Sequence, residues 1–479
     1  MTCFLERLRY WSFHRPEKKA FFSPGKQVTY RELEEYSNQI ANLLCRQGVA
    51  SDSVVALCVG DGVDFAVCLM GVLKSGAGCA LLSGQYPPLL RQRVLEKTGA
   101  RFWLGDIPAP DFCTCKSVEI PTVYQAEPQV DAPVPVNGYP FLICTSGTTG
   151  EPKVNAIPLK IWNTSIRRHV EFYESIGKDG DNGIFAAPEF AFGLTTMLLS
   201  MVRGQSAYIA DEASRGNLFS NLFAIEKYGL TNALWSAAVV NILSLSPILM
   251  EKIPHCLETI GCSGTQLYLS KDFCQFCLSR GISIQNGYGT TETLGIMMNH
   301  VDMAYYMQHN EPVSVGNPFP GIRASIHPEN GGDSDEGELV LYFEDETYQG
   351  LFPDNKLVMS DLARKTPDGY RLLGRIDNVV KIKGYRVNLE SVESCLMCSG
   401  LAVELYVLPN EAATELVCIY TADRQVEKQE WEQILRRKLP AYMWPVRYVL
   451  VEQFPRLQTG KVDRKRIKQW VKQNEMEPT

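Results

Sequence analysis

The sequence predicts an α/β protein of more than one domain, and three observations predict it. A chain of 479 residues with 45% hydrophobic content exceeds the roughly 250–300 residues at which a single core stops growing. Short apolar, β-rich segments alternate with segments of helical period through most of the chain before the C-terminal quarter, the pattern of mostly parallel sheets covered by helices. The apolar run Phe141-Leu142-Ile143-Cys144 leads straight into Thr145-Ser146-Gly147-Thr148-Thr149-Gly150-Glu151-Pro152-Lys153, which reads as a buried strand feeding a loop.

Taken in order, residues 54–59 read as a buried strand, and the segment from Asp64 onward as a helix. Residues 185–187 and 206–210 read as strands around a helical stretch at 194–202. Three prolines and a glycine between Pro133 and Pro140 suit a crossover connection. Residues 331–337 form a polar turn before a strand at 338–342. Past position 375 charged strands and helices dominate, ending in a basic stretch from Lys461 to Lys472, so a domain boundary is expected near Asp377. No repeat or low-complexity tract is visible.

Composition narrows the function. A formal net charge of -7 gives no basic footprint for nucleic acid. No apolar run reaches the roughly 18 residues of a membrane span, and the first residues lack a signal-peptide layout. The 15 cysteines are odd in number and scattered. Cys274-Gln275-Phe276-Cys277 has C-x-x-C spacing, but no matching Cys/His pair follows it at zinc-finger distance. Packed, reduced thiols and a cytoplasmic location are the expectation.

The loop after Cys144 is built for phosphate. Gly147 and Gly150 let backbone N–H groups turn toward a guest. The hydroxyls of Thr145, Ser146, Thr148 and Thr149, with the Lys153 ammonium, complete a polyphosphate site. The spacing is not that of the NTPase P-loop, because Glu-Pro-Lys follows Gly150. A hydroxyl-rich surface turn is the alternative. Downstream, Asn286-Gly287-Tyr288-Gly289-Thr290-Thr291-Glu292-Thr293 follows a short strand at 282–284. Gly287 and Gly289 bracket a ring on which a base can stack, and Glu292 offers a hard oxygen to Mg²⁺. Asp361 suits two ribose hydroxyls, or caps a turn. Gly374-Arg375-Ile376-Asp377, the stretch 379–386 and Gln458-Thr459-Gly460-Lys461-Val462-Asp463-Arg464 complete the series.

In this order and spacing the segments resemble the adenylate-forming superfamily of acyl-CoA synthetases, luciferases and non-ribosomal peptide synthetase adenylation domains. Val28-Thr29-Tyr30-Arg31-Glu32-Leu33, Leu73-Lys74-Ser75-Gly76-Ala77 and Gly337-Glu338-Leu339 resemble further motifs of that family, so the resemblance covers nearly the whole chain. It implies an N-terminal AMP-binding domain over 1–376 and a small α+β lid over 377–479, with a hinge at Asp377. It implies ATP and Mg²⁺, formation of an acyl-adenylate from a carboxylic acid, and passage of the acyl group to a thiol. Lys461 would bridge carboxylate and phosphate. Thr145, Ser146, Thr148, Thr149 and Lys153 would hold the β/γ phosphates. Thr291 would meet the α-phosphate and Glu292 the metal. Tyr288 would stack on adenine, and Asp361 and Arg375 would hold the ribose.

By the same resemblance Ala191, Phe192, Thr195, Trp235, Gly261, Ser263, Gly287, Gly295 and Ile296 would line the acid pocket. Ala191 stands where amino-acid-activating members carry an aspartate, which disfavours an α-ammonium; a one- or two-residue slip would let Glu189 supply that carboxylate. The lid segment 381–393, residues 439–445 and the basic C-terminal run look like those of carrier-protein ligases. An acyl or peptidyl carrier protein is therefore the expected thiol partner. An acyl- or aryl-CoA ligase and an amino-acid adenylation enzyme are the alternatives. Three positions depart from the family pattern: Val154 where glycine is usual, Ser83-Gly84-Gln85-Tyr86-Pro87 without its acidic residue, and Thr290 in place of a proline.

Overall fold

A computed structural model describes residues 4–473 except 87, 111–113, 128–139, 147–151, 216, 310, 329–333, 383–384, 398, 411–413, 437–438, 440 and 457–461. The chain divides into two compact units. One holds residues 1–236, 252–264 and 279–300, and the other residues 237–251, 265–278 and 301–479.

The first unit is α/β, as expected. Its larger sheet has eight strands in the order Leu294–His300, Ser283–Thr290, Thr259–Ser263, Asn232–Ser236, Asn182–Ile184, Ala207–Ile209, Lys19–Ser23 and Lys26–Thr29. Every neighbouring pair is parallel except the two at the edges. A second sheet orders Lys116–Val118, Phe102–Gly105, Val54–Cys58, Gly78–Leu81, Phe141–Ser146 and Pro152–Ile157, with only the last pair antiparallel. Parallel strands need helical crossovers. Gly62–Lys74 and Ala191–Arg203 are helices at the places where helical period begins in the sequence.

Two motifs turn out to be structural. In Val28-Thr29-Tyr30-Arg31-Glu32-Leu33 the Thr29 hydroxyl accepts from the Glu32 N–H at 3.2 Å, and the Glu32 carboxylate accepts from the Thr29 N–H at 2.8 Å. This capping box starts the helix Tyr30–Arg46. Tyr30, wholly buried, donates its hydroxyl to the Gln205 carbonyl at 2.7 Å. In Leu73-Lys74-Ser75-Gly76-Ala77 the buried Lys74 ends its helix and reaches the helix Tyr30–Arg46. Its ammonium donates to the Glu34 carbonyl (2.8 Å) and Asn38 Oδ1 (2.7 Å) and pairs with the Glu34 carboxylate at 2.8 Å. Burial lowers the Lys74 pKa to about 8 against the pull of Glu34. Gly76, at φ 83°, then turns the chain into the next strand.

The structure moves two expected elements. The strand read at 185–187 lies at Asn182–Ile184. Its polar start is tolerated because Asn182 Nδ2 donates to Ser200 Oγ and Gln205 Oε1 and Asn182 Oδ1 accepts from Asn232 Nδ2, at 2.9–3.0 Å. The strand expected at 282–284 runs on through Thr290, so the Gly287–Gly289 segment belongs to the sheet and not to a loop. Val154, unexplained by the sequence, pairs with Cys144 and packs against the core of Ala56, Cys58, Ala80 and Trp103. A branched side chain there fills an apolar layer.

The second unit holds an antiparallel four-stranded sheet (Ile322–His327, Glu336–Phe343, Lys356–Thr366, Gly369–Arg375), the hairpin Val379–Ile382 with Tyr385–Asn388, and a three-stranded sheet (Glu404–Pro409, Leu416–Thr421, Arg447–Leu450). Val387, Val392, Leu396, Val407, Cys418 and Trp431 form a separate core beyond position 380. Among the described residues all cysteines carry free thiols, and no helix is long and apolar enough to cross a membrane.

Breaking a buried ion pair by removing one partner is far more damaging than replacing both charges by apolar side chains of similar volume. Glu34→Ala and Lys74→Met should each cost about 3–5 kcal/mol in urea denaturation, and the double replacement Glu34→Leu with Lys74→Met about 1 kcal/mol or less.

Candidate active site

The strand that leads into the expected phosphate loop pairs antiparallel with the strand that follows it, Thr145 opposite Lys153 and Ser146 opposite Pro152. Gly147, Thr148, Thr149 and Gly150 lie outside the described residues, and Thr145 and Ser146 are described by their backbone. Lys153 is described, and its ammonium meets the Glu292 carboxylate, 139 positions further along, in an ion pair. Burial works to raise the Glu292 pKa. The hydrogen bond and charge of Lys153, with help from backbone and Thr290, hold it below the usual carboxylate range. The structure thus brings together one expected phosphate cation and the expected metal ligand.

The hairpin that carries Glu292 is distorted by design of its sequence. Gly289 pairs with Gly295 across a bulge, and Leu294 sits at φ 57°, a region costly for a branched side chain. A Cβ on Gly289 would overlap the Leu294 carbonyl, and one on Gly295 would overlap the imidazole of His169. Thr293, wholly buried, ties the turn: its hydroxyl accepts from the Thr290 N–H at 3.0 Å and donates to the Leu294 carbonyl at 3.1 Å. Thr291 and Glu292 are thereby presented at the turn, partly exposed. Tyr288 is buried and pairs with Met297, and Ile296, the bulged residue, is wholly buried.

Gly287 differs from its neighbours. Nothing stands closer than 3.6 Å to where its Cβ would be, so a methyl group would make ordinary contact and packing does not require glycine there. It pairs with Ser263, which lies on the same face as Gly261. Gly261 pairs with Leu234, whose Cδ2 would stand 2.7 Å from a Cβ on Gly261, and the Tyr173 hydroxyl would stand 3.2 Å away. Side chains alternate along a strand, so Trp235 faces the opposite side from Leu234 and Gly261. There it stacks on Phe185 with ring centroids 5.4 Å apart. The residues expected around the acid therefore do not all share one face. Leu234 occupies the side on which Trp235 was expected.

The remaining members of that set begin the helix Ala191–Arg203. Phe190 precedes it, Ala191 and Phe192 are partly buried, and buried Thr195 donates its hydroxyl to the Ala191 carbonyl at 2.7 Å. Glu189, the other candidate partner for an α-ammonium, pairs with Arg215 at 3.5 Å, and both side chains are nearly nine-tenths buried. Its charge is already matched.

The second unit carries the expected ribose pair. Asp361 and Arg375 are opposite one another on neighbouring strands, and their side chains approach to 3.5 Å. Ser360, just before Asp361, sits at φ 54°, strain that fixes where the carboxylate begins. Asp377 lies in the short 3₁₀ turn Ile376–Asn378 and is described by its backbone. Glu390 spans that turn: its carboxylate accepts from the Arg375 N–H at 3.2 Å and from Asn378 Nδ2 at 2.5 Å. Lys461 lies outside the described residues.

His169, Tyr173, Leu234 and Gln285 did not stand out in the sequence. A signal existed for the first two. Ser165, His169 and Tyr173 repeat every four residues on the buried face of the helix Leu159–Ser175, where polar groups are unusual.

These glycines separate by role. Gly289→Ala and Gly295→Ala should lower the thermal midpoint by several degrees or prevent folding, as overlaps of this kind cost about 1–3 kcal/mol. Gly287→Ala should melt within about 0.5 kcal/mol of the parent, while nucleotide or acid binding, read by calorimetry, weakens.

The model of the AMP-binding enzyme family matches residues 8–342. Bacitracin synthase 3 of Bacillus licheniformis is 26% identical over 94% of this chain, which spans only 7% of that protein's length. The fold matches o-succinylbenzoate CoA synthetase of Bacillus subtilis in complex with its acyl-adenylate intermediate, at a TM-score of 0.79 and 18% identity over 96% of this chain and 97% of that one. It also matches an anthranilate CoA ligase in complex with anthranoyl-AMP, at 0.80 and 19% identity over 98% and 97%. The chain belongs to the AMP-binding enzyme family, the adenylate-forming ligases.

Proposed function

We propose that the protein activates a carboxylic acid with ATP as an acyl-adenylate and passes the acyl group to a thiol. The observation that carries this reading is the meeting of Lys153 and Glu292. A cation for phosphate and a carboxylate kept ionised lie side by side in one unit. Among the described residues no three His, Cys, Asp or Glu side chains gather as a metal cage. Magnesium would therefore rest on Glu292 together with nucleotide oxygens and water, as this ion commonly does. When bound, it offsets phosphate charge.

In this reading Lys153, with Thr145, Ser146, Thr148 and Thr149, neutralises the β and γ phosphates and releases pyrophosphate. Thr291 donates toward the α-phosphate. Gly287, Tyr288 and Gly289 form the adenine wall, and Asp361 and Arg375 take the ribose. Two anions must approach as a carboxylate oxygen attacks the α-phosphorus and pyrophosphate leaves, so a cation placed between them lowers the barrier. That role falls to Lys461. The acid lies against Ala191, Phe192, Thr195, Gly261, Ser263, Gly287, Gly295 and Ile296, with Leu234 beside Gly261. With Ala191 at the helix start and Glu189 already paired to Arg215, neither position offers an α-ammonium an unpaired carboxylate, which favours an acid without one. Residues 377–479 act as a lid turning about Asp377.

The thiol we assign is the phosphopantetheine of a carrier protein, supported by the likeness to peptide synthetases and by the basic helix Arg464–Gln473, suited to an acidic partner. Coenzyme A is the second reading, favoured by the CoA ligases among the structural neighbours.

Lys461→Ala should lower acid-dependent ATP–pyrophosphate exchange by about 10²–10³-fold without altering the melting temperature; exchange at the parent rate would remove Lys461 from the chemistry. Offering the adenylated enzyme CoA or a holo-carrier in separate assays identifies the acceptor.

A further inference from the structure

One carboxylate reaches across the turn that holds Asp377. Glu390 stands in the first turn of the helix Leu389–Met397. That helix is fastened to the C-terminal core. Leu389, Val392 and Leu396 are buried with Val387, Val407 and Trp431, and the Glu393 carboxylate accepts from the Val407 N–H at 3.0 Å. A helix so anchored moves with that core. Arg375 lies on the other side of the turn. It ends the strand Gly369–Arg375, opposite Asp361 in the four-stranded sheet. The Glu390 carboxylate accepts from the Arg375 N–H at 3.2 Å and from Asn378 Nδ2 at 2.5 Å.

A turn of the chain at Asp377 would treat these two bonds differently. Asn378 and Glu390 both follow Asp377, so their bond can travel intact. The bond to Arg375 crosses Asp377. A hydrogen bond is lost beyond about 3.5 Å or with poor alignment, so the crossing bond closes in one orientation and opens in another. A bond present in only one of two states shifts their balance by its own strength, and a carboxylate is a stronger acceptor than a neutral oxygen. A glutamate in the first turn of a helix is favourable there by itself, but that placement calls for no partner 15 positions back.

We propose that Glu390 is a positioning residue that latches residues 377–479 in one orientation, and that opening of its bond to Arg375 sets the balance between adenylation and acyl transfer. The proposal rests on the reading given above, in which that segment is a lid turning about Asp377.

Two rates measured on the full chain test it, with the best acid of an aryl, fatty, hydroxy and amino acid panel. ATP–pyrophosphate exchange reads adenylation, and single-turnover acyl transfer from the adenylate to pantetheine reads the second step. Glu390→Ala should change the ratio of the two rates about fivefold or more, one slowing while the other holds or quickens, as expected for loss of one such bond. Glu390→Gln keeps one acceptor oxygen and should shift the ratio less, in the same direction. Asn378→Ala, which leaves the carboxylate unsteadied, should do likewise. A ratio within about twofold of the parent in Glu390→Ala overturns the proposal. So does an equal fall in both rates, the mark of a merely structural role. Were Glu390→Ala not to fold, by circular dichroism, Glu390→Gln and Asn378→Ala would decide. Were pantetheine to take no acyl group, hydrogen exchange at the Arg375 amide would decide. Among the free chain, the chain with Mg²⁺ and ATP, and the chain holding adenylate, it should vary by about tenfold, and one rate in all three overturns the latch. Absence of pyrophosphate exchange with every acid would instead overturn the adenylation reading itself.

Discussion

The candidate site depends on how closely one helix can lie against one sheet. Side chains on a sheet face normally hold a covering helix away. At Gly261 and Gly295 there are none, and the helix Leu159–Ser175 drops Tyr173 and His169 into those gaps. Nearby, Gly289 lets the Leu294 carbonyl close on its backbone, and the positive φ of Leu294 follows. That bulge re-aims the chain so that Thr291 and Glu292 stand at the turn, an arrangement common where a ladder ends beside a functional group. Close packing and presentation of the carboxylate thus have one cause, the omission of side chains at chosen strand positions.

Charge is handled by pairing before any ligand is considered. Lys153 meets Glu292, Asp361 meets Arg375, Glu189 meets Arg215, and Glu390 clasps the backbone and side chain that flank Asp377. A pair that a nucleotide can enter is a different element from a pair that is sealed. Glu292 is about one-third exposed and Arg375 nearly half exposed, whereas Glu189 and Arg215 are close to nine-tenths buried. The first two can exchange partners at modest cost. The third is fixed by the desolvation that breaking it would leave uncompensated.

Much of this was legible in the sequence. The α/β class followed from alternating periods, whereas the capping box at Thr29 and the helix end at Lys74 emerged only in the structure. The strand Phe141–Ser146 was visible as an apolar run leading into glycine and hydroxyls. What escaped were features made by pairing across distance. Asn182 begins a strand despite its polarity because three buried partners satisfy it. Gly287 and Gly289 lie in a strand because the hairpin partner at 294–300 extends it.

The sequence by itself determined the family, the order of its motifs and the kinds of group at the site, because residue types and their spacing carry that information along the chain. Only the tertiary structure decided which of those groups meet. Neighbours on a strand point to opposite faces, so Trp235 and Leu234 part company by a single position. A helix whose face repeats every four residues sets His169 and Tyr173 against glycines more than eighty positions away. Contacts of that kind depend on register and packing, which no local pattern specifies.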